Sequence, residues 1–286
     1  MRRLLRSLAL SVLALSFAAC GSNTSNDAAG SSTTASAAKV KTLKDGTLTV
    51  ATNLPAPDFF KADPADPTNT AKITGGLEFD IANELAKRLG LAKVTVVNVP
   101  FDSITNGAAL ASANAQADLA FSQVTITDKR KEAVDFSTGY FKADQGVLVR
   151  KGTTVSTANL KSLKYGAQAD TTGADFVTST IKPTAALKTY PQVTDAVSGL
   201  QAKDIDAVIL DTPILLSVAR DSAGAFEVVG QFKTDEQYGA VLPKGSALTS
   251  PVSAAITAME KDAFISGLFS KYFGGDPAKV PFLTAG

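Results

Sequence analysis

Two charged residues stand where strands end, and together they could hold a zwitterion. In the segment 122–137, SQVTITDKRKEAVDFS, Thr125, Thr127 and Arg130 follow a short apolar strand and open a helix. That turn suits an anion, because a helix amino end offers free backbone donors and a guanidinium fork adds two parallel hydrogen bonds to a carboxylate. Asp211 closes the apolar run Ala207-Val208-Ile209-Leu210 and could accept an ammonium group. Each residue has a plainer reading. Arg130 fits a solvated helix position in the charged run 128–132, and Asp211 before Thr212-Pro213 fits a helix cap. Asp135 and Asp206 read as structural.

Other chemistry is poorly supplied. The chain has no histidine and a single cysteine, which removes the commonest general base and metal ligand and any internal disulfide. Glu78, Lys164 and Asp170 could serve acid–base work but form no convincing pair, so no catalytic residue, metal or cofactor is expected. The 28 basic residues less Arg2, Arg3 and Arg6 leave 25 against 27 acidic ones, a net charge of −2 without the amino-terminal segment. No polyanion-binding surface is implied, which excludes nucleic acid as a partner.

The elements that must position these residues alternate. Strands are expected at 47–53, 94–99, 119–122, 147–150, 164–168, 207–211, 226–229 and 238–242. Helices are expected at 80–89, 103–113, from 127, and at 175–181, 193–201, 213–220, 251–261 and 262–273, the last closed by Gly274 and Gly275. This pattern indicates an α/β fold of parallel sheets covered on both faces, in two lobes, with solutes bound at the carboxyl ends of strands. Those ends are polar here: Asn53, Ser122, Gln123, Gln168 leading to Thr171 and Thr172, and Asp211.

The first nineteen residues read as an export signal: Arg2, Arg3 and Arg6, an uncharged run, then Ala18 and Ala19 before Cys20. The run Phe17-Ala18-Ala19-Cys20 resembles a bacterial lipobox, with Phe17 where leucine is usual, so Cys20 is the expected lipidation site. From Gly21 to about Lys39 the chain is almost wholly Ser, Thr, Asn, Ala and Gly, which reads as a flexible tether.

The order of TITDKR (125–130), DFS (135–137), EFD (78–80), QADTT (168–172) and IDAVILDTP (205–213) resembles the bacterial extracellular solute-binding proteins of family 3, which serve polar amino-acid ABC importers. The resemblance runs from about Gly46 to Phe273. It implies a two-lobed periplasmic-binding-protein-like fold of type II with a double crossover hinge, its crossings near 141–145 and 235–238. The implied organisation is a signal peptide (1–19), a lipidated tether (20–45), a discontinuous first lobe (46–142 and 238–276), a second lobe (143–237) and a tail (277–286).

In that family the counterpart of Arg130 pairs with the ligand's α-carboxylate, helped by groups corresponding to Thr125 and Thr172, and that of Asp211 accepts the α-ammonium. Ser122, Gln123, Phe101, Asn53, Phe59 and Gln168 are the further ligand-binding candidates by matching position, with Phe60 as an alternative to Phe59. The implied function is an extracytoplasmic, lipid-anchored monomer that closes on an amino acid and docks on a permease; a dehydratase-like enzyme or a solute sensor is the alternative. Several positions depart from the family: Asn53 replaces a frequent Asp, Ala56 a frequent aromatic, Asp170 the usual glycine, and the loop 61–73 is long. With no spare arginine or carboxylate in the proposed wall, the resemblance implies a neutral polar ligand.

Overall fold

The computed structural model describes residues 40–273, apart from 112 and 114, and residues 277–285. The signal segment, Cys20, most of the tether and the Gly274–Gly275 helix stop lie outside the described residues.

The strands are β1 (Thr47–Thr52), β2 (Lys93–Asn98), β3 (Leu119–Ala120), β4 (Val134–Arg150), β5 (Tyr165–Gln168), β6 (Lys188–Tyr190), β7 (Ala207–Asp211) and β8 (Phe226–Pro243). They form one sheet in the order β2-β1-β3-β8-β4-β7-β5-β6. The expectation of parallel sheets is corrected: β1 pairs in parallel with β2 and β3, and β5 with β6 and β7, but β8 runs antiparallel to β3 and β4, and β4 antiparallel to β7.

The difference lies in β4 and β8, which have 17 and 18 residues. Each spans roughly 55 to 60 Å at ~3.3 Å per residue, far beyond the usual strand. Both run through the middle of the molecule: β8 joins the expected strands 226–229 and 238–242, and β4 extends the expected strand 147–150 back to Val134. Their pairing carries register shifts, one of them between Ala143 and Gln145, where the two sets of connections meet.

The apolar residues sort accordingly. Leu48, Val50, Ile81, Leu85, Phe121, Tyr238, Val252 and Ile256 belong to one fully buried cluster, with helix α1 (Leu77–Arg88) against β1 and α7 (Thr249–Lys261) against β4. At the other end of the sheet, Val147, Tyr165, Ile209 and Phe232 pack on one face, and Leu148, Leu200, Leu210 and Leu215 on the other.

Helices differ from expectation mainly at their ends. The helix expected at 103–113 is only α2 (Phe101–Thr105), because Gly107 adopts φ +80° and turns the chain. Next come α3 (Asp128–Ala133), α4 (Thr172–Phe176) continued by a π-turn at Val177–Ile181, α5 (Val193–Gln201) and α6 (Thr212–Asp221). After α8 (Phe264–Tyr272) the tail returns to the far half of the sheet. There Leu283 N–H donates to Gln231 O at 2.7 Å, and the buried Gln231 amide donates to Pro277 O at 2.8 Å and Val280 O at 2.9 Å.

Gly76 fixes how α1 begins. A Cβ there would stand 2.3 Å from Phe59 O at φ +118°, so only glycine lets α1 start against the turn Asp58–Phe60.

Candidate functional site

A cavity of about 1130 Å³ lies between the loop after β1, the segment after β3, the starts of α4 and α5, and one face of α6. All ten expected ligand-binding residues border it: Asn53, Phe59, Phe101, Ser122, Gln123, Thr125, Arg130, Gln168, Thr172 and Asp211. They are not equally available. The ring of Phe59 packs edge-on to Phe141, Tyr238 and Phe273, and the residue is 1% exposed, so it belongs to the core; Phe60 is as buried.

Arg130 is held by its own segment and by the facing one. Thr127 caps α3, accepting from Arg130 N–H at 3.2 Å. The segment 124–126 is pinned to β8 by Ile126 N–H donating to Gln237 O and Gly239 N–H to Val124 O. From there the guanidinium donates through Nη1 to Thr125 O and through Nη2 to Asp170 O, each at 2.8 Å, with the Phe101 ring 5.6 Å away. Asp170 stands at φ +61°, which explains why a glycine is usual there and how its carbonyl turns towards Arg130. Two of five guanidinium donors are thus used and three remain. The solvated-helix reading of Arg130 fails, since the residue is 9% exposed. Burial lowers its pKa from the ordinary arginine value, opposed chiefly by the negative charge of Asp211 and Glu236.

Asp211 enters from β7 and is buried. Its side chain makes no cap bond to α6, so the cap reading is not realised. Instead Oδ1 accepts from Gln145 Nε2 at 2.6 Å and Oδ2 from the Tyr238 hydroxyl at 2.5 Å. Burial first, then the nearby Glu236 charge, raises its pKa to about 7 against the pull of Tyr238, Gln145 and Arg130.

Glu236, Gln145 and Tyr238 are the residues that sequence reasoning missed. Glu236 Oε2 accepts from the hydroxyls of Thr125 at 2.7 Å and Thr172 at 2.6 Å, and Oε1 from Gln145 Nε2 at 2.9 Å. Both threonines therefore spend their protons on Glu236, and what they can offer the cavity is lone pairs. Any help that these two residues give a carboxylate therefore comes from their backbone and not from their hydroxyls. Gln145 and Glu236 fall inside the expected crossings 141–145 and 235–238. No local signal marks them, because it is the β4–β7 ladder that pairs Gln145 with Asp211 and places an amide beside the carboxylate.

The polar side chains of the remaining wall, which also carries apolar residues such as Val193, Val197, Ile214 and Val218, are tied to one another and to backbone. Asn53 N–H donates to Ser122 Oγ at 3.0 Å, Asn53 Nδ2 to Val99 O at 3.1 Å, and Gln168 Nε2 to Asn53 Oδ1 at 3.2 Å. Gln123, at φ +51°, donates its N–H to Glu78 Oε1 at 2.8 Å and its Nε2 to Glu78 Oε2. Glu78 is fully buried, bonded also by Tyr140, and burial raises its pKa to about 7. Farther along α6, Arg220 forks onto Asp58 at 2.7 and 3.1 Å. Asp135 and Asp206 are structural: Asp135 accepts from Gly245 N–H at 2.9 Å and Asp206 from Lys164 N–H at 2.9 Å. Among the described residues no cluster of His, Cys, Asp and Glu could hold a metal ion.

Comparison with known proteins agrees with this geometry. The profile of the bacterial extracellular solute-binding proteins, family 3, matches residues 60–275. The chain is 31% identical over 245 residues to the L-cystine-binding protein TcyJ of Escherichia coli (strain K12), covering 84% of this chain and 87% of that protein. It is 31% identical over 209 residues to the ABC transporter glutamine-binding protein GlnH of Bacillus subtilis (strain 168), covering 71% and 74%. An ancestral arginine-binding protein bound to glutamine superimposes with a TM-score of 0.71 at 30% identity, covering 81% of this chain and all of that one. The ancestral amino acid-binding protein AncCDT-1, a precursor of cyclohexadienyl dehydratase, gives 0.66 at 29% identity, covering 80% and 95%.

Proposed function

Because the chain belongs to the bacterial extracellular solute-binding proteins of family 3, we propose that it is the extracytoplasmic binding component of an ABC importer for an amino acid. The observation that carries this reading is one buried guanidinium and one buried carboxylate, Arg130 and Asp211, bordering a single cavity from opposite halves of the sheet. The α-carboxylate takes the free donors of Arg130. The α-ammonium takes Asp211 and the lone pairs of Thr125 and Thr172, whose protons Glu236 holds back. Each such charge-assisted bond contributes ~1.5 to 3 kcal/mol in a site shielded from water.

The two lobes are 46–142 with 238–276, and 143–237, which fits the division of the apolar clusters. Closure bends β4 and β8 where their pairing is irregular and brings Asp211 and Thr172 onto a ligand already held by Arg130. Asn53, Ser122, Gln123, Phe101 and Gln168 form the side-chain wall, and a neutral polar amino acid is the ligand. Cys20 carries the lipid that holds this monomer at the outer face of the membrane, near its permease.

Binding without catalysis is favoured by the placement of the acid–base candidates. Glu78 is enclosed by Gln123 and Tyr140, while Lys164 is exposed at the start of β5 and Asp170 lies beyond its other end. A thermal-shift screen of the common L-amino acids tests the proposal. A ligand at 100 times its dissociation constant adds ~2.7 kcal/mol of stability. No shift with any amino acid would refute it.

A further inference from the structure

The three carboxamides of the wall, Asn53, Gln123 and Gln168, are not free to turn. Gln168 Nε2 donates to Pro191 O at 3.1 Å as well as to Asn53 Oδ1, and neither acceptor could pair with an amide oxygen. Asn53 itself is fixed by its Nδ2 bond to Val99 O. Gln123 turns its Nε2 to Glu78, whose carboxylate already takes the Gln123 N–H and the Tyr140 hydroxyl. Neither Gln168 Oε1 nor Gln123 Oε1 accepts a hydrogen bond from any described residue. Gln168 is nonetheless 5% exposed, so little other than the cavity that it borders can satisfy that oxygen. Of the five proposed wall residues, Asn53 has both ends of its amide engaged and Phe101 is apolar, which leaves the carbonyl oxygens of Gln123 and Gln168 with capacity to accept. The Ser122 hydroxyl can turn its proton to either partner and adds one bond at most.

On the reading that the cavity holds an amino acid, we infer that the protein selects ligands whose side chain ends in N–H donors, a carboxamide above all, with Gln123 and Gln168 as the specificity-determining acceptors. A side-chain carboxylate would face two carbonyl dipoles of its own sign. An aliphatic or thioether side chain would leave a buried acceptor without a donor, the arrangement that lets a polar site reject an analogue lacking the group. Asn53 in place of an acidic residue removes a counter-charge for a cationic side chain, which favours the uncharged amide.

The test is calorimetry of the purified full chain at pH 8, where Glu78 is ionised, against the common L-amino acids, with glutamine, methionine and glutamate as a matched set of similar length. The tightest ligand is expected to carry side-chain N–H groups and to bind at least ~10-fold more tightly than methionine or glutamate. In Gln168→Met the ratio of that ligand's affinity to methionine's is expected to fall about tenfold, since one acceptor is lost at constant length. The ratio matters because lost bonds to Asn53 and Pro191 would weaken all ligands together. A tightest ligand that is acidic, aliphatic or a thioether overturns the inference and leaves amino-acid binding standing, as does an unchanged ratio in the variant. Failure of every amino acid to bind overturns both.

Discussion

Acid should weaken ligand binding while strengthening the empty fold. Asp211 must be ionised to take an ammonium group, but burial and the neighbouring Glu236 raise its pKa to about 7. The binding-competent fraction then falls from ~90% at pH 8 to ~10% at pH 6, so the apparent Kd rises about tenfold over that range. For the empty protein the sign is opposite. A carboxyl whose pKa is higher folded than unfolded binds more protons in the folded state between the two values, so stability falls as pH rises. Asp211 and Glu78, both near 7, each contribute extra stability on the order of 1 kcal/mol at pH 6 relative to pH 8. Calorimetric titration with the tightest ligand at pH 6, 7 and 8, beside urea unfolding of the empty protein, measures both. Asp211→Asn should bind weakly and with little pH dependence. A Kd that is constant or tighter at pH 6 in the parent protein would refute the assignment of Asp211.

Other consequences are local. Arg220→Ala removes a fork onto Asp58 that joins α6 to the loop after β1; the pair is partly exposed, so ligand affinity should fall only about 2- to 5-fold, and less in high salt, by calorimetry at two ionic strengths. Deleting the described tail 277–285 and the terminal residue strips Val280 and Leu283 from the far half and leaves the Gln231 amide without partners, which should cost ~1 to 3 kcal/mol in urea unfolding. Gly76→Ala forces a Cβ into Phe59 O, and the yield of folded protein or its melting temperature should drop sharply.

The charged pair was legible because each member carries two signals at once, a strand end and a helix start, as at 119–130 and 207–213. β1, β2, β5 and β7 were legible for the same reason, being short apolar runs with polar ends. What escaped was long-range. The crossing strands mix exposed and buried positions over 17 and 18 residues, so no single period marks them, and Val147–Arg150 and Phe226–Val229 looked complete in themselves. Phe59 borders the cavity yet packs in the core, and an aromatic near a cleft and one in the core look alike in sequence, because Phe141, Tyr238 and Phe273 that close around it are distant along the chain. The direction of the Thr125 and Thr172 protons depends on Glu236, more than 60 residues away along the chain.

If Arg130 holds the carboxylate of the amino acid, calorimetry of Arg130→Ala with the tightest ligand must show the loss. Two lost charge-assisted bonds correspond to at least ~100-fold in affinity, with Arg130→Lys intermediate because it keeps the charge and loses the fork. Circular dichroism and an unchanged melting profile would establish that the variant is folded. A folded Arg130→Ala protein that binds the amino acid within about twofold of the parent, a difference of only ~0.4 kcal/mol, would mean that Arg130 does not hold the carboxylate.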